Sequence, residues 1–175
     1  MSTPALPTAL RPSATGSAAL VIHRTSPVVV YLDTCCLNRP FDDLSIDRNR
    51  REGEAFGLVL EAVADGRIEL VWSEAIELEC SRSPDRPRAA LASAPARLAT
   101  RRVGLDPATR ARATAIAGLG FSDKDSVHLA SAEFAGATDF LTTDDRLEKR
   151  ARRYATSLGV RVINPVTFAS SGPGP

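Results

Sequence analysis

The sequence predicts an α/β fold in which a mainly parallel sheet is covered by helices on both faces. Strand-like and helix-like patterns alternate along most of the chain, the order that produces parallel sheets. The first strand, Val28-Val29-Val30-Tyr31-Leu32, is a continuous β-branched and apolar run, the mark of a strand buried on both faces. A length of 175 residues, 43% of them hydrophobic and 25% charged, gives room for one domain of ordinary size with its own core.

Residues 1–27 are rich in Ala, Ser, Thr and Pro. They show no periodicity beyond a short apolar patch from Ala18 to Ile22, so a flexible N-terminal extension is expected. After the first strand, Ser45 to about Ala64 reads as a helix, with Val59, Ala62 and Val63 on one side and Gly66 as the stop. Ile68 to Trp72 is a second strand, followed by a helix from Ser73 or Glu74 to about Ser81, and Trp72 is expected in the core. Pro84, Pro87 and Pro95 interrupt an Ala/Arg-rich region that suits short helices or a loop equally. Asp106-Pro107 marks a helix start, an N-cap followed by proline at the first helical position. Ser122 to Ala135 reads as a helix, Phe140 to Thr142 as a short strand, Asp145 to Leu158 as a helix and Val160 to Ile163 as a last strand, which Pro165 keeps from extending. The ordered domain is expected over 28–168, and a flexible Ser/Gly/Pro tail over 169–175.

The net charge of +1, from 22 basic and 21 acidic residues, excludes a strongly cationic nucleic-acid coat and an acidic tail protein but leaves room for a local basic patch. Only Lys124 and Lys149 are lysines; the other cations are arginines, which suit phosphate recognition. Cys35, Cys36 and Cys80 form neither a disulfide framework nor a closed zinc site, and an odd count with an adjacent pair points to a reducing compartment. No segment reaches the roughly 20 apolar residues of a membrane span. Pro4, Pro7 and Pro12 break up any signal-peptide core, so a cytoplasmic protein is expected.

Open parallel sheets place their sites at the carboxyl ends of the strands. Asp33 directly follows the first strand, either as a functional carboxylate or as a turn or N-cap residue. Glu79 lies six residues past Ser73, in the second helical turn, where it points back to the sheet edge or lies on a solvated face; Glu74 and Glu77 are expected on that solvated face. Ser122 and Asp125 imitate a capping box, with aspartate in place of the usual Glu or Gln, and Asp123 suits the positive helix end. His128, three residues after Asp125, is expected as a hydrogen-bonded, partly buried group rather than a ligand. Thr143, Asp144 and Asp145 follow the next strand; either aspartate can cap the helix running to Leu158, and with one for each task Asp144 is assigned to the site and Asp145 to the helix cap or to a supporting place behind the site. Four acids in equivalent places, Asp33, Glu79, Asp125 and Asp144, form an oxygen-only donor set suited to Mg²⁺ or Mn²⁺. Without a cation they would repel one another; with one, the natural chemistry is activation of water to attack a phosphodiester. Ser73 or Thr142 is placed to orient a carboxylate or the attacking water.

These residues resemble the PIN-domain nucleases, in particular the VapC-like toxins of bacterial toxin–antitoxin pairs, from about Val28 to Phe168. Tyr31-Leu32-Asp33-Thr34-Cys35-Cys36-Leu37-Asn38-Arg39-Pro40-Phe41-Asp42-Asp43 is similar to the opening motif of one PIN subgroup, with Cys35-Cys36 in place of the more common asparagine-containing continuation. Ser73 to Glu79 resembles the strand-to-helix segment with Glu79 at its acidic position, and Asp125-Ser126-Val127-His128-Leu129-Ala130 resembles the third motif. Phe140-Leu141-Thr142-Thr143-Asp144-Asp145 resembles the fourth, with Asp144 as its acid and Thr142 as the nearby hydroxyl. The resemblance implies a three-layer α/β/α fold with a mainly parallel sheet and Mg²⁺- or Mn²⁺-dependent cleavage of single-stranded RNA. By the same analogy a small antitoxin protein binds beside the acidic pocket, and a homodimer is usual.

Arg146, Lys149, Arg150 and Arg153 recur at helical spacing after Asp144-Asp145 and either hold the RNA backbone or form a solvated face partly paired with Glu148. Aromatic residues, at 5%, are few for base stacking. The competing reading is a PIN-fold module that binds protein or RNA and cleaves nothing. A phosphatase of the haloacid-dehalogenase class also begins with a strand-end aspartate, but it requires a second aspartate where this chain has Cys35.

Overall fold

The computed structural model describes residues 28–171; the expected N-terminal extension and residues 172–175 of the expected tail lie outside the described residues. Five strands form one sheet: β1 (Val28–Leu32), β2 (Ile68–Ser73), β3 (Arg101–Val103), β4 (Asp139–Leu141) and β5 (Arg161–Ile163). Their order is β3-β2-β1-β4-β5 and every pairing is parallel. Helices flank the sheet in an α/β sandwich, as the alternation predicts: α1 (Thr34–Asn38), α2 (Asp47–Ala64), α3 (Glu74–Arg82), α4 (Arg86–Ala92), α5 (Pro107–Ala117), α6 (Asp123–Phe134), α7 (Asp145–Arg153) and α8 (Pro165–Ser171). Among the described residues no helix is long and apolar enough to cross a membrane.

The core lies between sheet and helices. Val30, Tyr31, Leu70, Val71, Phe140 and Leu141 of the three central strands are fully buried, and Trp72 is buried with them. Val59, Ala62 and Val63 of α2 are buried on the side their spacing predicts, and Gly66, at φ 70°, supplies the left-handed residue that stops the helix. Ile116 of α5 and Leu129, Ala130 and Ala132 of α6 complete the core.

Several elements differ from the sequence expectation. The Pro-rich region resolves into α4, a short 3₁₀ turn over Ala94–Arg97 and an unexpected edge strand, β3. Two of the three residues of β3 are arginines, so it carries no hydrophobic signal. It forms by pairing with β2, and Arg101 ion-pairs with Glu69 of that strand at 2.6 Å. α1 is also unexpected, because five residues are too few to show a period; it starts where the Asp33 carbonyl accepts the Cys36 N–H. α7 ends at Arg153 rather than Leu158: Tyr154 leaves helical geometry, and a turn back onto its carbonyl brings Leu158 into the core. Pro165 blocks strand extension as expected but also opens α8 at its first position. α8 buries Phe168 and runs on through Ala169, Ser170 and Ser171, which the expected tail included.

This topology positions the site. The chain runs outward from β1 through β2 to β3, then crosses back to β4 and β5, so its direction reverses between β1 and β4. The crevice outside the carboxyl ends of those strands is where open α/β sheets bind ligands. Tyr31 pairs with Val71, and Leu32 with Leu141, so Asp33 stands level with Ser73, two residues past the first pair, and with Thr142, one past the second.

Candidate active site

Asp33 sits at the junction of β1 and α1. Its backbone occupies the N-cap position, yet its carboxylate makes no capping hydrogen bond. That carboxylate, only 6% exposed, accepts at one oxygen from Thr142 Oγ1 at 2.8 Å and from Cys35 Sγ at 3.1 Å. Thr142 Oγ1 in turn accepts the Asp144 N–H at 3.1 Å, so one hydroxyl ties the ends of β1 and β4 together. Cys35 Sγ accepts the Thr143 N–H at 3.2 Å and closes the same junction from the other side.

Asp144 is exposed, and its Oδ1 accepts the N–H groups of Arg146 and Leu147, which makes it the cap of α7. The sequence admits either aspartate as the cap and assigns Asp145 to the cap or to a supporting place behind the site. The cap falls to Asp144 because it is the last extended residue before the helix, while Asp145 is already the first helical residue. Asp145 instead pairs through both oxygens with Arg48 of α2, at 2.7 Å each.

Ser122 caps α6 by accepting the Asp125 N–H at 3.1 Å. Asp125 is one methylene shorter than the Glu of a full capping box, and among the described residues its carboxylate accepts no hydrogen bond. Glu79 projects from α3, and its two oxygens are occupied: Lys124 Nζ lies 2.5 Å from Oε1 and His128 Nε2 lies 3.1 Å from Oε2. Partial burial pushes the Glu79 carboxyl up, but hydrogen bonds from His128, Lys124 and Thr34 outweigh it and hold the pKa at about 2. The same contact outweighs the desolvation of Lys124 and keeps its ammonium above the ordinary lysine value.

Behind Glu79 runs a buried polar line. His128 is 3% exposed, as its hydrogen-bonded expectation requires, and its Nδ1 lies 2.7 Å from Tyr31 Oη. Tyr31 Oη lies 2.6 Å from Ser73 Oγ, which accepts the Ile76 N–H and so caps α3. Ser73 therefore touches no carboxylate directly and reaches Glu79 through Tyr31 and His128. The Tyr31 ring stacks on Phe140, with centroids 5.1 Å apart and planes 9° from parallel.

Sequence reasoning passed over Lys124 and Tyr31. Lys124 resembles any exposed helical lysine. Tyr31 did carry a signal: a phenol in an aliphatic strand buried on both faces needs a buried partner for its hydroxyl. Of the four α7 cations that the sequence offers for holding RNA, Arg146, Lys149 and Arg153 are exposed and make no ion pair among the described residues. Arg150 is committed elsewhere, donating to the Gly120 carbonyl and lying over the Phe121 ring at 5.9 Å. Glu74 and Glu77 are exposed as expected, and each holds β3 or its following loop, Glu74 through the Leu105 N–H and Glu77 through Arg102.

Two cavities meet at Glu79. One of about 460 Å³ has walls of Leu78, Leu105 and Val127, with Arg82 and Lys124 at its rim. The other, of about 350 Å³, is lined by Thr34, Asn38 and Cys80 among others. Among the described residues no three His, Cys, Asp or Glu side chains stand close enough together to hold a metal ion.

No protein-family model matches the sequence, and no curated protein matches it. Among solved structures, the chain is similar to FitAcB from Neisseria gonorrhoeae, at 18% identity and a TM-score of 0.49 over 79% of this chain and 99% of that one. It is also similar to VapBC2 from Rickettsia felis bound to a DNA fragment from their promoter, at 11% identity and a TM-score of 0.49 over 78% of this chain and 98% of that one.

Proposed function

We propose that this protein is a PIN-like, metal-dependent endoribonuclease that cleaves phosphodiester bonds of single-stranded RNA in the cytoplasm. In this reading it is the toxin of a toxin–antitoxin pair, restrained by a small antitoxin protein and able to form a homodimer. The observation that carries the proposal is Asp33: at an N-cap position it withholds its carboxylate from the cap and presents it, braced by Thr142, at the reversal point of the sheet. A merely structural aspartate there would spend its oxygens on the helix N-terminus. The four sequence motifs that resemble PIN-domain nucleases supply the substrate class.

Mg²⁺ or Mn²⁺ is the proposed cofactor. The donors fit such an ion in kind, since all four are carboxylates. Asp33, Asp125 and Asp144, which do not stand close enough together in this structure to hold it, would have to draw in around it, and Glu79 would join on exchanging the Lys124 ammonium for the ion. An ion so bound supplies activation of water and neutralises charge on the phosphodiester. The protein's own groups do the rest. Thr142 orients Asp33, and Lys124 and Arg82 offer cations at the rim of the larger cavity. Arg146, Lys149 and Arg153 present an exposed basic face to the RNA backbone.

The test is cleavage of a mixed single-stranded RNA panel by purified protein with Mg²⁺, Mn²⁺ or EDTA, beside Asp33→Asn and Asp144→Asn. Cleavage that requires the ion and falls to background in both variants is expected. Equal cleavage by wild type and variants would reveal a contaminating nuclease and remove support for the proposal. A second reading, a PIN-fold binding module that cleaves nothing, is favoured by the occupation of both Glu79 oxygens by Lys124 and His128. Under that reading, neither substitution changes the protein's cellular effect.

A further inference from the structure

The line Ser73–Tyr31–His128 does more than fill the core, because hydrogen-bond accounting assigns it a single direction. The Glu79 carboxylate only accepts, so His128 Nε2 carries a proton. If Nδ1 carried one too, Tyr31 would have to donate to Ser73. The Ser73 hydroxyl proton, in a side chain 1% exposed, would then have no acceptor among the described residues. The neutral ring leaves nothing unpaired. The Ile76 N–H donates to Ser73 Oγ, Ser73 to Tyr31 Oη, Tyr31 to His128 Nδ1 and His128 Nε2–H to Glu79. Each proton has one acceptor, and the line starts at the backbone of the helix that carries Glu79.

We propose that Tyr31 and His128 are positioning residues: the buried line holds His128 as its Nε2–H tautomer and thereby fixes the Glu79 carboxylate, leaving Oε1 to the cation. Lys124 is the cation there now. The inference rests on the nuclease reading for what Glu79 serves, but the tautomer and the fixed carboxylate follow from the geometry alone. Two features support a device over a filler. Tyr31 is held on its ring face by Phe140 and by its position in the central strand, so its hydroxyl cannot drift. His128 is the sole bridge in this line between that hydroxyl and the half-exposed carboxylate.

The test has two arms on the full chain. The first reads the ¹⁵N shifts of the His128 ring in the ion-free protein, with His128→Gln identifying its signals against those of His23. Nε2–H alone is expected in wild type; in Tyr31→Phe the Nε2 proton stays hydrogen-bonded to Glu79, and the Nδ1 signal shifts because that nitrogen has lost the hydroxyl that donated to it. An Nδ1–H or doubly protonated ring in wild type near neutral pH overturns the proposal. The second arm measures binding of Mn²⁺ alone. Tyr31→Phe and His128→Leu should each weaken it about tenfold. His128→Gln, whose amide N–H can take the Nε2 place, should restore most of the loss, whereas His128→Asn, too short to reach Glu79, should not. Wild-type affinity in His128→Leu, or a Gln variant no better than Leu at equal melting temperature, also overturns it. Failure of wild type to bind Mn²⁺, with the Nε2–H tautomer present and the Nδ1 signal shifted in Tyr31→Phe, sinks the nuclease reading and leaves the positioning line standing.

Discussion

Tyr31 shows how one buried hydroxyl links stability to the site. Its burial, reinforced by the charges of Asp33 and Glu79, holds the phenol well above its ordinary value of 10.0 despite its hydrogen bond with Ser73. Above about pH 10 the unfolded chain releases this proton while the native chain keeps it, so the unfolded state is favoured and stability falls as pH rises. Tyr31→Phe removes that contribution. Urea unfolding between about pH 9 and 11 should therefore show a shallower loss of stability in the variant than in wild type. Asp33 teaches a related lesson. Its backbone position fitted both a turn and a site, and only the direction of its carboxylate, toward Thr142 and Cys35, separates them.

Among the elements, α2 is fastened at its start by a buried acid. Glu52 is 3% exposed, and its Oε1 accepts from Arg48 Nε at 3.0 Å and from Asn164 Nδ2 at 2.9 Å. Its Oε2 lies 2.8 Å from Arg39 Nε without hydrogen-bond alignment, an electrostatic contact from the short 3₁₀ turn over Arg39–Phe41. One carboxylate thus joins the segment after α1 to α2 and to the start of α8. Arg48 also pairs with Asp145, so α2 reaches the first turn of α7 beside the site. Glu52→Ala leaves Arg39 and Asn164 partly unpartnered and should cost about 2 to 3 kcal/mol in urea unfolding. None of this was legible in the sequence, where Glu52 and Asn164 are 112 positions apart. α5 and α6, by contrast, start where local chemistry says they must, at Asp106-Pro107 and Ser122.

For the whole molecule, a net charge of +1 means that the proposed RNA substrate meets no broad attracting field. Under the nuclease reading, binding must rest on a local patch, and Arg150 is withdrawn from it by Gly120 and Phe121. Three phosphate contacts, from Arg146, Lys149 and Arg153, imply a slope of log affinity against log salt of about −2 for single-stranded RNA. Binding measured in the Asp33→Asn background, so that nothing is cleaved, should show this slope. Arg153→Ala should flatten it by about 0.7 whatever the RNA sequence. A slope unchanged by that substitution would place the RNA elsewhere on the molecule.

The sequence by itself determined the parallel α/β architecture, the strand ends at which Asp33 and Asp144 emerge, and the helices that carry Glu79 and Asp125. These follow from hydrophobic period, caps and breakers, which act over a few residues. Only the tertiary structure decided which carboxylates are braced, which are capped and which are already paired. It also created β3, whose residues become a strand only against β2, and joined Ser73, Tyr31, His128 and Glu79 into one line. Those outcomes depend on groups far apart in the chain meeting in a buried space where every polar atom must find a partner.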